Sequence, residues 1–176
     1  MIQDLVEVAV DVLMPPSRGA LNKPKPNTVA VQLGGGVAAF SRGLNESGWL
    51  ADEVLAAGTL RQGKPPSILT AATGLVLLQM ARRRSKLLPR EFVLAATVDR
   101  VVAFAMTAEG SETTTTVIEI KRGEIGSWPR ELVRVIDPAK GLLAKGATLE
   151  LAGVDRFPVT WDGDDSTDAL VDLLIG

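Results

Sequence analysis

The sequence predicts an α+β protein that is mainly β, in which short antiparallel strands are followed by one C-terminal helix. Its central feature is the stretch Phe92–Thr107, where two apolar runs, 92–98 and 101–107, are separated only by Asp99 and Arg100. Two β-prone runs with a two-residue polar break are typical of a β-hairpin. Because neither run alternates between apolar and polar residues, both faces of the hairpin are expected to be covered. The hairpin must therefore lie inside a larger sheet.

The other strands of the predicted sheet come from β-prone stretches on both sides of this hairpin. Phe157 and Trp161 share one face of the last stretch, and Pro158, which has no N–H to donate, favours an edge position for it. Residues 122–124 are expected to turn the chain. The seven candidate strands are 53–60, 92–98, 101–107, 114–121, 130–136, 147–152 and 156–161.

The chain closes with a predicted amphipathic helix over 168–176. The acids Asp162–Asp165 precede it and suggest a D-x-D-D metal loop, but no glutamate stands at the twelfth position that an EF-hand requires. Acids ahead of a helix cap it and interact with its dipole. We therefore predict capping and no metal. The apolar stripe of this helix consists of Leu170, Val171, Leu174 and Ile175.

The residue types that the chain lacks limit its function more than its net charge does. The 176 residues allow one domain, or one domain with an appendage, and a net charge of −2 makes nucleic acid an unexpected partner. The chain has no His, Cys or Tyr, which excludes disulfides, thiolate zinc sites, a catalytic Cys and a His base. We expect a protein that is not an enzyme and has no cofactor. The N-terminus lacks the features of a signal peptide, so a cytoplasmic location is expected.

The first 48 residues are predicted to form a separate segment before a domain over 49–176. Apolar residues at helical spacing predict a helix over 2–14, which Pro15 and Pro16 end before a Pro-rich linker. A strand over Val29–Leu33 then leads into Gly34–Gly36 and Ala39, the pattern G-x-G-x-x-A of nucleotide sites. We favour a Gly turn in a hairpin whose second strand is Val37–Phe40. A helix there would be short, and no acid ends a second strand where a ribose hydroxyl needs one.

A helix inserted over 66–88 is predicted between the first two strands of the domain. Its apolar part, Ile68–Ala81, has Ser67 as a candidate cap and is shorter than the roughly 20 residues a spanning helix needs. A run of cations without an acid follows it. Cations at a helix C-terminus favour its dipole, and the alternative is a contact with lipid headgroups, a phosphorylated partner or RNA. The candidate anion-binding residues are Lys64, Arg82, Arg83, Arg84, Lys86 and Arg90.

The stretch Phe92–Phe104 resembles the L-x-x-T-x-x-R-hydrophobic hairpin of bacterial pleckstrin-homology-like (PH-like) proteins. Thr97 and Arg100 stand at the threonine and arginine positions of that pattern. The resemblance covers about residues 50–176. It implies a seven-stranded antiparallel barrel or sandwich that the C-terminal helix plugs. It also implies a non-catalytic module that binds an anionic lipid or an acidic protein partner, often through the connection between the first two strands. In this chain that connection carries the candidate cations, so peripheral attachment to the membrane is expected beside the cytoplasmic location.

Two further functions stay open from the sequence. One is an oligomeric interaction or assembly protein that uses helices 2–14 and 67–82, which makes a homo-oligomer a possible partner. The other is a nucleotide-binding protein that uses Gly34–Gly36.

Overall fold

Antiparallel strands joined into one sheet, with an α-helix against each face, form the part of the chain that the structure describes. The computed structural model describes residues 24–63, 84–110, 116–141, 144–153 and 155–175. A 3₁₀ turn over Arg130–Leu132 precedes the sixth strand. The elements are β1 (Thr28–Gln32), α1 (Ala39–Ser47), β2 (Ala56–Gln62), β3 (Glu91–Ala96), β4 (Arg100–Gly110), β5 (Thr116–Pro129), β6 (Val133–Lys140), β7 (Lys145–Leu151), β8 (Asp155–Trp161) and α2 (Asp165–Leu174).

The eight strands follow the order β1-β5-β4-β3-β2-β8-β7-β6, and every neighbouring pair is antiparallel. Two meanders, β2 to β5 and β6 to β8, meet where Arg61 and Gln62 of β2 pair with Thr160 and Val159 of β8. A closed barrel requires the two outermost strands of a sheet to pair with each other. Among the described residues β1 and β6 do not pair, so the sheet is open. The predicted seven-stranded barrel with helical extensions is therefore wrong.

The eighth strand comes from the segment that the sequence assigned to a separate N-terminal region. Residues Thr28–Gln32 pair one to one with Lys121–Val117 of β5 and so extend the sheet beyond the predicted set. The predicted turn over 122–124 is also wrong, because β5 continues through it to Pro129. Gly123, with φ 113°, lies where the β4–β5 register shifts, which lets the strand bend without ending.

The central hairpin is confirmed as β3 and β4, which pair from Phe92 with Ala105 to Ala96 with Val101. Its turn is closed by Thr97: the backbone N–H of Thr97 donates to the carbonyl of Arg100 (2.8 Å), and the Thr97 Oγ1 accepts from the N–H of Arg100 (3.2 Å). Thr97 is fully buried. The threonine of the T-x-x-R pattern thus has a local structural role, since its hydroxyl satisfies a backbone donor that would otherwise be unpaired.

Alternate side chains of the hairpin enter two cores on opposite faces of the sheet, so the expectation of two covered faces is confirmed. On β3, Phe92 and Leu94 lie in the first core, whereas Val93 and Ala95 lie in the second. The first core joins both meanders to α2, which contributes three residues. These are Leu170, Val171 and Leu174. The second core lies between the other face of the meander β2–β5 and helix α1, and it includes β1. Helix α1 contributes Phe40 and Leu44 to it.

The predicted C-terminal helix is confirmed, and it packs on the sheet at unusually short range. A Cβ added to Gly58 of β2 would lie 2.5 Å from the Cα of Thr167, so only glycine permits this approach. The Oγ1 of Thr167 also accepts the backbone N–H of Thr59 at 3.0 Å. Together these contacts hold the first turn of α2 on β2.

Two other sequence predictions are wrong. Residues 39–47 form α1, so the favoured hairpin with a second strand over Val37–Phe40 does not form. Strand β8 lies between β2 and β7 and is not an edge strand. Pro158 is tolerated there because the ladder of β2 ends beside it, where Gly63 donates to the Pro158 carbonyl at 2.8 Å.

The predicted helices over 2–14 and 67–82 lie outside the described residues. Of the predicted insertion 66–88, residues 84–88 are described, and they bend without forming a helix. Within the described ranges, no helix combines the length and apolar character needed to cross a membrane.

Candidate functional site

Residues 84–90, here called the basic loop, connect to the start of β3 and carry three of the six predicted anion-binding residues. Arg84, Lys86 and Arg90 are all exposed. The ion pairs formed among the described residues engage other cations, so none of these three side chains is paired with a described carboxylate. Lys64, Arg82 and Arg83 lie outside the described residues.

The backbone of the basic loop is held by the side chain of Gln62, the last residue of β2. The Gln62 amide donates to the carbonyls of Leu88 (2.8 Å) and Pro89 (3.0 Å), and its Oε1 accepts the N–H of Ser85 at 2.7 Å. Gln62 is only 6% exposed, so these bonds lie where water does not compete for the amide. Its backbone N–H donates to the Arg90 carbonyl at 2.8 Å. One strand end thus fixes both ends of the loop.

Ser85 and Asp155 provide a second attachment, to the start of β8. The Ser85 hydroxyl donates to Asp155 Oδ2 at 2.5 Å and accepts the N–H of Leu87 at 3.1 Å. Ser85 is buried, although the residues on either side of it are exposed cations. The loop is therefore tied to both meanders of the sheet, and its cations are presented from a fixed backbone.

Two adjacent leucines of the basic loop point to opposite environments. Leu88 is 5% exposed and packs in the first core, whereas Leu87 is 61% exposed. Leu88 thus anchors the loop by hydrophobic burial, and Leu87 projects beside Lys86. An exposed apolar side chain in a loop of exposed cations is the arrangement that an interface of anionic headgroups and acyl chains accommodates.

The glycine pattern forms a tight turn between β1 and α1. Gly34 and Gly36 have φ of 83° and 95°, a region that favours glycine, and the turn is held against α2 by the Ser166 hydroxyl, which lies 2.7 Å from the Gly36 carbonyl. A nucleotide fingerprint requires a parallel β-α-β unit. Strand β1 pairs with β5 in antiparallel orientation, so this topology gives the nucleotide alternative no support.

The acid cluster before α2 has structural partners. Asp164 caps the helix, its Oδ1 accepting the N–H of Thr167 at 2.9 Å, which confirms the predicted capping. Asp162 pairs with Arg61 at 3.1 Å. In the described part of the chain no group of three or more His, Cys, Asp or Glu residues is placed to hold a metal ion.

A groove of about 280 Å³ beside α2 contains a polar cluster that the sequence did not predict. Asp168 accepts from Lys145 Nζ at 2.5 Å and from Trp161 Nε1 at 2.8 Å. Partial burial raises the pKa of the Asp168 carboxyl, but the bonds from Lys145 and Trp161 and the charges of Lys145 and Lys140 outweigh it and leave the pKa below its ordinary value. No local pattern marks this cluster, because β7, β8 and α2 bring its members together. The charges of Lys145 and Asp168 compensate each other, so the cluster stabilises α2.

Comparison of the chain with protein-family models and with curated proteins finds no match. The resemblance of the central hairpin to bacterial PH-like proteins therefore stays a prediction.

Proposed function

We propose that the chain is a non-catalytic binding module that docks on an anionic membrane surface through the basic loop. The observation that carries the proposal is the exposure of Arg84, Lys86 and Arg90 in the same short loop as the exposed Leu87, on a backbone fixed by Gln62 and by the Ser85–Asp155 bond.

The electrostatic part of the proposal follows from the unpaired state of these cations among the described residues. Each Lys or Arg close to an anionic leaflet contributes about 1 kcal/mol of attraction, which decays within a Debye length. Because the loop is already fixed by hydrogen bonds, little further backbone entropy is lost on binding. Three cations on this loop therefore bring the protein to the surface in one orientation.

Leu87 favours a membrane over an acidic protein as the anionic partner. Leu87 is 61% exposed, and burying its apolar surface away from water is favourable only if the partner offers apolar material beside its negative charge. An interface of anionic headgroups and acyl chains offers both at the same depth. The attachment is peripheral, since only one loop side chain enters the acyl boundary.

Vesicle sedimentation tests the proposal with the full chain. Binding to vesicles of phosphatidylcholine mixed with phosphatidylserine should exceed binding to phosphatidylcholine alone and should weaken at high salt. The triple variant Arg84→Glu, Lys86→Glu and Arg90→Glu should lower the vesicle affinity by at least about 100-fold, because it removes three attractions and adds three repulsions. The single variant Leu87→Ser should lower it roughly 10-fold without changing the salt dependence.

A matched control reverses three exposed cations elsewhere, Lys25→Glu, Arg42→Glu and Lys121→Glu, and so changes the net charge equally. It should retain most of the vesicle binding. Equal losses in the two triple variants would show a net-charge effect and overturn the proposal. Binding to soluble polyglutamate that depends on the basic loop, without binding to vesicles, would instead establish an acidic protein as the partner.

A further inference from the structure

The two edges of the open sheet differ in their protection against pairing with another strand. On β6 the register shifts between Ile136 and Ala139, Asp137 has a φ of 52°, and Pro138 has no N–H. Ile175 forms a parallel bridge with Val135, whose other neighbour is Leu149 of β7, so the bridge occupies the outer side of β6. A bulge, a proline and a covering segment are devices that prevent edge-to-edge association.

Among the described residues, strand β1 has none of these devices. Its five residues, TVAVQ, contain no proline and no charge, and they pair with β5 without a register shift. Among the described residues its only strand partner is β5. Within the described ranges, one edge of the sheet is thus blocked and the other is open.

The hydrogen bonds at the ends of β1 show which backbone groups face outward. The N–H of Leu33 donates to Thr116 of β5 at 2.9 Å, and the carbonyl of Asn27 accepts from Arg122 at 2.8 Å. Backbone groups alternate along a strand, so the odd-numbered residues face β5. Thr28, Ala30 and Gln32 therefore direct their N–H and C=O groups away from the sheet. Their side chains are exposed as well.

Helix α1 packs on the face of β1 and does not cover that edge. A Cβ added to Gly43 of α1 would lie 3.1 Å from the side chains of both Val29 and Val31, so the helix packs directly on the odd-numbered side chains. Val31 is buried in the second core. The edge strand is therefore held in an extended, pairing-competent conformation.

We propose that β1 pairs with β1 of a second copy of this chain, antiparallel and about a two-fold axis at Ala30, so that the two sheets become continuous. In this register Ala30 faces Ala30, and each Thr28 faces a Gln32. These are the hydrogen-bonded positions of an antiparallel ladder, so each facing pair exchanges two N–H···O bonds. The outward backbone groups of both strands are satisfied together.

The sequence of β1 is complementary to itself in this register. The smallest side chain lies at the axis, no like charges face each other, and Val29 opposes Val31 as a β-branched pair. On β5, Glu119 pairs with Ala30. Its counterpart in the second copy lies three strand spacings away, about 14 Å, which exceeds the Debye length at physiological salt. Charge repulsion therefore does not oppose the pair.

A ladder of five residues buries less surface than a standard stable interface, so the dimer is reversible and depends on concentration. Sedimentation velocity of the full chain over a concentration series should show this dimer. Hydrogen exchange should show the amides of Ala30 and Gln32 becoming protected as the concentration rises. A wild-type chain that stays monomeric throughout, or a dimer without this protection, would overturn the proposal.

A matched pair of variants locates the interface. Ala30→Lys places two ammonium groups at the axis and should raise the dimer dissociation constant at least roughly 10-fold, with unchanged thermal unfolding of the dilute protein because the Ala30 side chain is exposed. Ala139→Lys makes the same change at an exposed position of the protected edge and should leave the dimer intact. Equal weakening by both variants, or a dimer that survives Ala30→Lys, would assign association to another surface.

Discussion

The two helices lie on opposite faces of one sheet, but they are specified in different ways. Helix α2 begins with the side-chain cap of Asp164 and presents three buried apolar residues to the first core. Helix α1 has Ala38 at its N-cap position, no side-chain cap and an internal Gly43, and it ends with Gly48 in a left-handed conformation. The difference shows that a capped, striped helix is specified by its own residues, whereas α1 depends on the strands beneath it.

A glycine allows each helix to approach the sheet closely. Gly58 of β2 allows the backbone of α2 to approach the sheet, and Gly43 of α1 allows that helix to approach Val29 and Val31. A glycine inside a helix costs about 1 kcal/mol relative to alanine. In α1 the packing of Phe40 and Leu44, both almost fully buried, must offset that cost. Tertiary burial thus replaces local propensity.

The largest effect is expected from Leu170→Asp in α2. Leu170 is fully buried in the first core, where an unpaired carboxylate has no cation to compensate it. We expect a loss of about 5 kcal/mol or more in the free energy of unfolding, enough to unfold the protein. Urea unfolding followed by circular dichroism measures it, with the exposed Asp172→Asn on the same helix as the control. An unchanged melting curve would contradict the assignment of α2 to the core.

An intermediate effect is expected from Leu44→Ala in α1. Leu44 is 1% exposed in the second core, and truncation of a buried leucine typically costs about 2–5 kcal/mol. Because α1 has few local determinants, we expect the loss to include the helix itself, visible as increased hydrogen exchange over 39–47. The exposed Glu46→Ala in the same helix should change stability by less than about 0.5 kcal/mol. Normal protection of α1 in Leu44→Ala would show that this helix does not depend on the strands.

The smallest effect is expected from Asp164→Ala, which removes the cap of α2. Loss of an N-cap acceptor costs about 0.5–2 kcal/mol. We expect the lower part of that range, because Asp164 Oδ2 is buried without a hydrogen-bond partner among the described residues and its removal offsets part of the loss. Asp164→Asn retains the Oδ1 acceptor and should be nearly neutral in thermal unfolding. A loss for asparagine equal to that for alanine would mean that the negative charge of Asp164, and not its Oδ1 acceptor, stabilises α2.

Sequence reasoning was accurate for three features whose determinants lie close together along the chain. The hairpin of β3 and β4, the buried alternation of Phe157 and Trp161, and the cap at Asp164 all depend on residues within one element or its immediate neighbours. The predicted hairpin strand over Val37–Phe40, where α1 begins, was wrong because its local signals were misleading. No cap marks the start of α1, and its first residues look like a short strand.

The candidate site was predictable in composition but not in arrangement. The cations and the two leucines of the basic loop are visible in the sequence, yet nothing local shows that Leu88 is buried and Leu87 exposed. That difference follows from Gln62, 26 residues before Leu88, and from Asp155, 70 residues after Ser85. Bonds across such separations form only after the strands have assembled.

By itself, the sequence determined most of the extended stretches, the presence of a capped last helix and which cations stand together, since periodicity, capping and turn chemistry act over a few residues. Only the tertiary structure decided that β1 joins β5, that the sheet stays open, that α1 is a helix and that the basic loop is fixed. The physical reason is that each of these features depends on burial and hydrogen bonding between residues far apart in the chain, and those contacts outweigh local preference where that preference is weak.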